Sequence, residues 1–178
     1  MFDRQKFKNL VRYVCWKCEN NSSLGAIKLN KVLLYSERES YLRSGQVLTG
    51  ETFVKRQFGP APIHILEILH ELESEHVIAI KDTIEYGRTK RRFINLSSEP
   101  ELSMFSKEEL AVVDRIAQDI CWRHTAKSIS DKTHDDIWEM ADMGEPIPLF
   151  TVFAVQGEVD EQDFAWAKEQ AALVGAAV

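Results

Sequence analysis

Helical spacing of apolar residues governs what this chain can fold into. Phe7, Leu10, Val11, Val14, Cys15 and Cys18 recur at steps of three and four residues, which predicts a helix over 3–19 with one apolar face. Asp3 is placed to cap its start, and Asn20-Asn21-Ser22-Ser23 breaks it. The same spacing returns in Leu110, Val113, Ile116, Ala117, Ile120 and Cys121. That segment opens with a capping box, Ser106 as N-cap and Glu109 three residues on, and frays near His124-Thr125.

A second helix is expected over 24–44, with Ser23 as cap and Gly45 as stop. Its inner face would carry Ile27, Val32, Leu34, Tyr35, Tyr41 and Leu42, leaving Lys28, Lys31, Glu37, Arg38 and Glu39 to decorate the rest. Residues 51–57 read as extended. Pro62 is placed to open a third helix, 62–75, whose dense apolar content (Ile63, Ile65, Leu66, Ile68, Leu69, Leu72) implies burial on more than one side. A β-hairpin follows, with arms at 77–80 and 91–96 and a tip at Tyr86-Gly87.

Short helices around Ile129 and around Ile137-Trp138 lead to a stop at Gly144, and Pro146-Ile147-Pro148 enforces an extended exit. Residues 149–155 suit either a buried strand or an apolar helix. An acidic helix with Phe164, Trp166 and Leu173 is expected over 160–174. The expectation is a mainly α (α+β) fold: a compact helical domain of about six to eight helices with a small β-hairpin and a winged-helix-like end. Residues 1–155 would form that domain, and 156–178 an acidic C-terminal helix or tail.

A chain of 178 residues buries enough surface to fold without a metal or a disulfide. Its net charge of −6 argues against nucleic-acid binding as a property of the whole surface. No run approaches the roughly 20 apolar residues of a membrane span, and no secretory signal opens the chain. Three cysteines, an odd count, suit reduced thiols in the cytoplasm.

Each candidate for chemistry has a structural alternative. Cys15-Trp16-Lys17-Cys18 has redox or half-zinc spacing, but it lies on the apolar face of a helical pattern with no second pair, which favours core thiols and no bound metal. His134 beside Asp135, Asp136 and Trp138 could act as a base, but no nucleophile or oxyanion loop accompanies it; a helix start, with the imidazole on Trp138, is favoured. His64 and His70 do not share a helix face. Gly45, Gly50 and Gly59 are too dispersed to cradle phosphate, so no nucleotide cofactor is expected, and without a catalytic constellation no catalysis is expected either.

Arg88, Lys90 and Arg92 would face one side of the hairpin, and Arg91 and Phe93 the other. Such a basic face suits solvated edge protection, an acidic protein surface or, least well without stacking aromatics, nucleic acid. Lys28, Lys31 and Tyr35 share a helix face, with Arg38 next to Tyr35; they suit a contact surface or an internal salt-bridged strut equally.

The order of several motifs resembles a known family. Lys28-Leu29-Asn30-Lys31 runs through Tyr35 to Arg38 and Tyr41. Gly45, Thr49-Gly50 and Phe58-Gly59-Pro60 follow, then Thr133-His134, Trp138, Gly144 and Ile147-Pro148. Over about residues 10–155 this is similar to the Panacea, or SocA-type, antitoxin domain and to phage- and mobile-element-associated GepA-like proteins. The resemblance implies a non-enzymatic cytoplasmic antitoxin whose partner is a cognate toxin protein, held by direct contact. It also implies that a protease or its unfoldase can be a further partner, through an adaptor role. The family's frequent Tyr-Gly-Pro stands here as Phe58-Gly59-Pro60, which keeps the ring and loses a hydroxyl. No added helix-turn-helix precedes the domain, so operator binding by a dedicated module is not expected. The alternative is a winged-helix-like regulator that binds nucleic acid through the basic hairpin.

Overall fold

The computed structural model describes residues 1–19, 24–85, 87–98 and 100–156. Ser23, Tyr86 and the acidic segment 157–178, with its expected helix and separate tail, lie outside the described residues.

Among the described residues, six α-helices and two small antiparallel pairs of strands make a mainly α fold with some β. Helix α1, Arg4–Lys17, starts where Asp3 accepts a hydrogen bond from the Lys6 N–H at 2.9 Å. All six residues of its apolar stripe, Phe7 through Cys18, are buried. Helix α2, Ala26–Ser44, has Gly25 rather than Ser23 at its N-cap position, and Gly45 ends it in the left-handed conformation at φ 67°.

Strand β1, Phe53–Val54, pairs with β2, Ala61–Pro62. Pro62 therefore closes a sheet rung opposite Phe53 instead of opening a helix. The pairing continues, because Ile63 N–H donates to the Thr52 carbonyl at 3.0 Å, and α3 begins only at Ile65, running Ile65–Ser74. Ile65, Ile68, Leu69 and Leu72 are buried, while Ile63 and Leu66 are exposed. The third helix thus buries one face, not several.

Strands β3, Ile78–Glu85, and β4, Arg88–Asn95, form a hairpin longer than its apolar content suggests. Its register puts Lys81 opposite Arg92, Asp82 opposite Arg91 and Thr83 opposite Lys90. Helix α4, Lys107–Gln118, starts at the expected capping box: the Ser106 hydroxyl accepts from Glu109 N–H, and the Glu109 carboxylate accepts from Ser106 N–H. It runs on into a π-helical turn, Asp119–Arg123. Helices α5, Ala126–Asp131, and α6, Asp136–Met140, follow, and Leu149–Gln156 closes as a 3-10 helix, the helical rather than the strand alternative that its composition allows.

The core gathers α1, α2, α3 and α4 with the base of the hairpin. Helix α2 is its axis, touching α1, α4, α5, β2, β4 and the 3-10 helix. That position corrects one expectation: Lys28, Lys31, Glu37 and Arg38 do not decorate a solvated face but are buried, as are Leu29 and Leu33. Among the described residues, no helix is long and apolar enough to cross a membrane.

Candidate partner-binding site

A charged side chain buried in a helix must find partners, because leaving it unpaired costs several kcal/mol, on the order of 3–5 for a broken pair. The charged residues of α2 each find them. Glu37 accepts the N–H of Leu48 at 2.9 Å, the N–H of Thr49 at 2.7 Å and the Thr49 hydroxyl, and so ties the loop after α2 back onto the helix. Burial pushes its carboxyl up, and the bonds from Thr49 and Leu48 oppose that rise.

Lys31 is 1% exposed, and its amine donates to the Pro60 carbonyl at 3.1 Å. Burial, with Arg38 nearby, lowers its pKa from 10.5 to about 7, against the pull of Asp135. Gly59 lies across this amine at φ +87°, and a Cβ there would stand 2.3 Å from both Lys31 Nζ and Thr133 Oγ1. Only glycine suits that position, on backbone geometry and on space. The Phe58-Gly59-Pro60 loop is thereby clamped between α2 and the α5–α6 connection.

Asp135 holds the other side of the clamp. One carboxylate oxygen caps α6 by accepting the Trp138 N–H at 2.8 Å, and the other lies 3.6 Å from the Arg38 guanidinium. The His134 ring stacks on Trp138 with centroids 3.8 Å apart and planes 8° from parallel. The Trp138 indole donates to the Arg56 carbonyl at 3.2 Å. Lys55 Nζ sits 4.3 Å from the Trp138 ring centre and donates to the carbonyls of Glu139 and Ala141. His134 therefore serves as a stacking plate on Trp138, and Asp135 as a cap and ion-pair partner.

Large apolar side chains stand exposed on the segments this clamp holds. Phe58 is 52% exposed, Met140 80% and Met143 65%. The segment carrying Met143 is bound to the same loop, with Gly144 N–H donating to the Lys55 carbonyl and Lys55 N–H to the Glu145 carbonyl. Lys55 carried no signal in the sequence, since it meets Trp138 only through the fold.

The remaining candidates lie elsewhere. Lys28 Nζ donates to the Cys121 carbonyl at 3.1 Å, capping the π-helical turn from α2. Burial lowers the Lys28 pKa, with Lys90 adding to the drop and Cys121 opposing it. Tyr35 is half-buried. Lys90 and Arg92 share one face of the hairpin; Arg88 joins them on the backbone register, and its side chain lies outside the described residues. His64 Nδ1 pairs with the buried Glu51 carboxylate at 3.0 Å and its ring stacks on Phe2.

Cys15, Cys18 and Cys121 are all buried. Cys18 meets Cys121, with sulfurs 3.6 Å apart, rather than acting with Cys15 as a pair. Burial pushes the Cys15 thiol up to about 12. The hydrogen bond to Cys121 raises the Cys18 thiol, and the same bond, with Lys28 nearby, lowers Cys121. Among the described residues, no group of three or more His, Cys, Asp or Glu side chains is arranged to hold a metal.

What these residues define is a helical domain whose charged central helix pins an aromatic-Gly-Pro loop and a short Trp-bearing helix into one surface. The family model described as Antitoxin SocA-like, Panacea domain matches residues 29–139, and the chain belongs to that family. The matched stretch contains Lys31, Arg38, the Phe58-Gly59-Pro60 loop, the whole hairpin, His134 and Trp138. No curated protein and no solved structure matches the chain.

Proposed function

We propose that this protein is an antitoxin that neutralises a toxin protein by gripping it directly, with the clamped surface around Phe58 as the contact. The observation that carries this reading is a division of labour between buried motif residues and exposed side chains on the segments they hold. Lys31, Arg38 and Gly59 are buried and spent on holding the loop in place, while Phe58, Met140 and Met143 on the held segments face solvent. Exposed aromatic and methionine side chains are common anchors in protein interfaces, and flexible Met suits partners of differing shape. The charged residues are engaged in struts rather than aimed together into a cleft, which supports binding over catalysis. A proteolysis adaptor role would add a protease or unfoldase as a second partner on the same complex.

Co-expression with the protein encoded by the neighbouring gene tests this reading. A stable complex and rescued growth are expected. Phe58→Ala and Met140→Ala should each weaken the complex by about 1–2 kcal/mol, roughly tenfold, with unchanged melting. Absence of both complex and rescue sinks the antitoxin reading. A complex indifferent to both substitutions sinks only the choice of surface.

A further inference from the structure

The hairpin carries a charge arrangement that the clamp does not use. Lys81 and Arg92 are directly opposite each other across the strands, on one face. Like charges at opposed positions destabilise a sheet. The neighbouring rung on the other face does the reverse, with Arg91 Nε 3.3 Å from its partner Asp82. Arg4, Lys6, Lys8 and Lys17 on α1 also each meet a carboxylate. Among the described residues, no carboxylate lies within 4.0 Å of Lys81 or Arg92. In a chain of net charge −6, with 28 acids to 22 bases, that mismatch stands out.

A groove of about 410 Å³ opens beside these two cations, between the hairpin face and the end of α1. Thr83 and Ile94 continue its hairpin wall, and Ile94 is 44% exposed. Glu19 is the single acid on its described lining, and it is engaged by the Asn95 amide at 3.1 Å. Lys90 stands on the same face at the next rung, its stem packed beside Gly25.

We propose that this groove is a second docking site, and that it takes an acidic polypeptide segment with aliphatic residues beside its carboxylates. The Arg92 guanidinium presents a planar fork suited to a carboxylate, and Lys81 a point charge for a second one. Ile94, at the flanking rung on the same face, offers an apolar contact beside them. The bound carboxylates relieve the Lys81–Arg92 repulsion that the folded chain otherwise bears. Nucleic acid fits less well: Phe93, the aromatic residue lining the groove, is buried and offers no face for a base, and Glu19 would oppose phosphate. The inference rests on the reading above only in taking the ligand to be a polypeptide.

Fluorescence anisotropy at low salt tests it, with a labelled peptide of glutamates and leucines, a lysine–leucine peptide and single-stranded oligothymidine as probes. The acidic peptide should bind, and binding should fade as salt is raised. Lys81→Glu is the decisive variant. It places a carboxylate opposite Arg92, so its melting temperature should hold or rise while acidic-peptide affinity falls about tenfold, the equivalent of about 1.4 kcal/mol. Lys132→Glu, which is not on the lining of the groove, should leave affinity unchanged. Failure of the acidic peptide to bind, indifference of its affinity to Lys81→Glu, or tighter binding of oligothymidine would each overturn the proposal. The toxin is not a component of the assay, so this outcome is independent of the co-expression result.

Discussion

At the scale of single residues, Lys31 is the most informative. A lysine whose folded pKa is lowered from 10.5 to about 7 leaves the unfolded chain holding the proton between those values. Stability should therefore rise with pH across that window, with a slope of up to about 1.4 kcal/mol per pH unit. Below pH 7 both states carry the proton, and the full cost of a buried charge remains. Arg38 deepens that cost and Asp135 reduces it. Urea unfolding of the wild type and of Lys31→Met at about pH 7 and about pH 9 checks this. The wild type should gain about 2 kcal/mol more than the variant over that interval. Equal pH responses would show that Lys31 keeps its charge when folded.

At the scale of elements, local chemistry was readable where it was sufficient. The ends of α4 illustrate this: Ser106 and Glu109 satisfy each other's backbone groups within four residues, so the sequence names the start directly. Glu109 then adds something the sequence did not signal, an ion pair with Lys6 at 2.7 Å that joins α4 to α1. Ser106→Ala should cost about 1 kcal/mol and lower the melting temperature by about 2–4 °C, whereas Ser106→Asp should keep most of the stability. Equal melting of Ser106→Ala and wild type would remove the cap from the account of α4. The start of α3 shows the opposite case. Pro62 is as good a first helical residue as a strand end, and the choice was made by Phe53, its partner across β1 and β2. Likewise, helical spacing marked Leu66 as apolar but could not tell that nothing in the described fold covers it.

At the scale of the whole molecule, the three thiols report on integrity. Cys15, Cys18 and Cys121 sit in the shared core of α1 and α4, so opening any one of them requires the core itself to open. A thiol reagent should modify none of them in the native protein, and all three at the rate of global unfolding as urea is raised. Rapid modification of any one in native buffer would show a local opening of that core.

The mainly helical character of the chain, the starts of α1 and α4, the hairpin after α3 and the set of motif residues are legible in the order of residues alone. These follow from spacing and capping, which act over a few residues. That α2 is the axis of the fold, and hence that Lys28, Lys31, Glu37 and Arg38 are buried, emerges from packing between distant segments. A charged residue on a helix reads as solvated until its partners are known. Those partners, Cys121, Pro60, Thr49 and Asp135, come from other parts of the chain. Burial of charge is a property of what surrounds it, and that is settled by packing between elements.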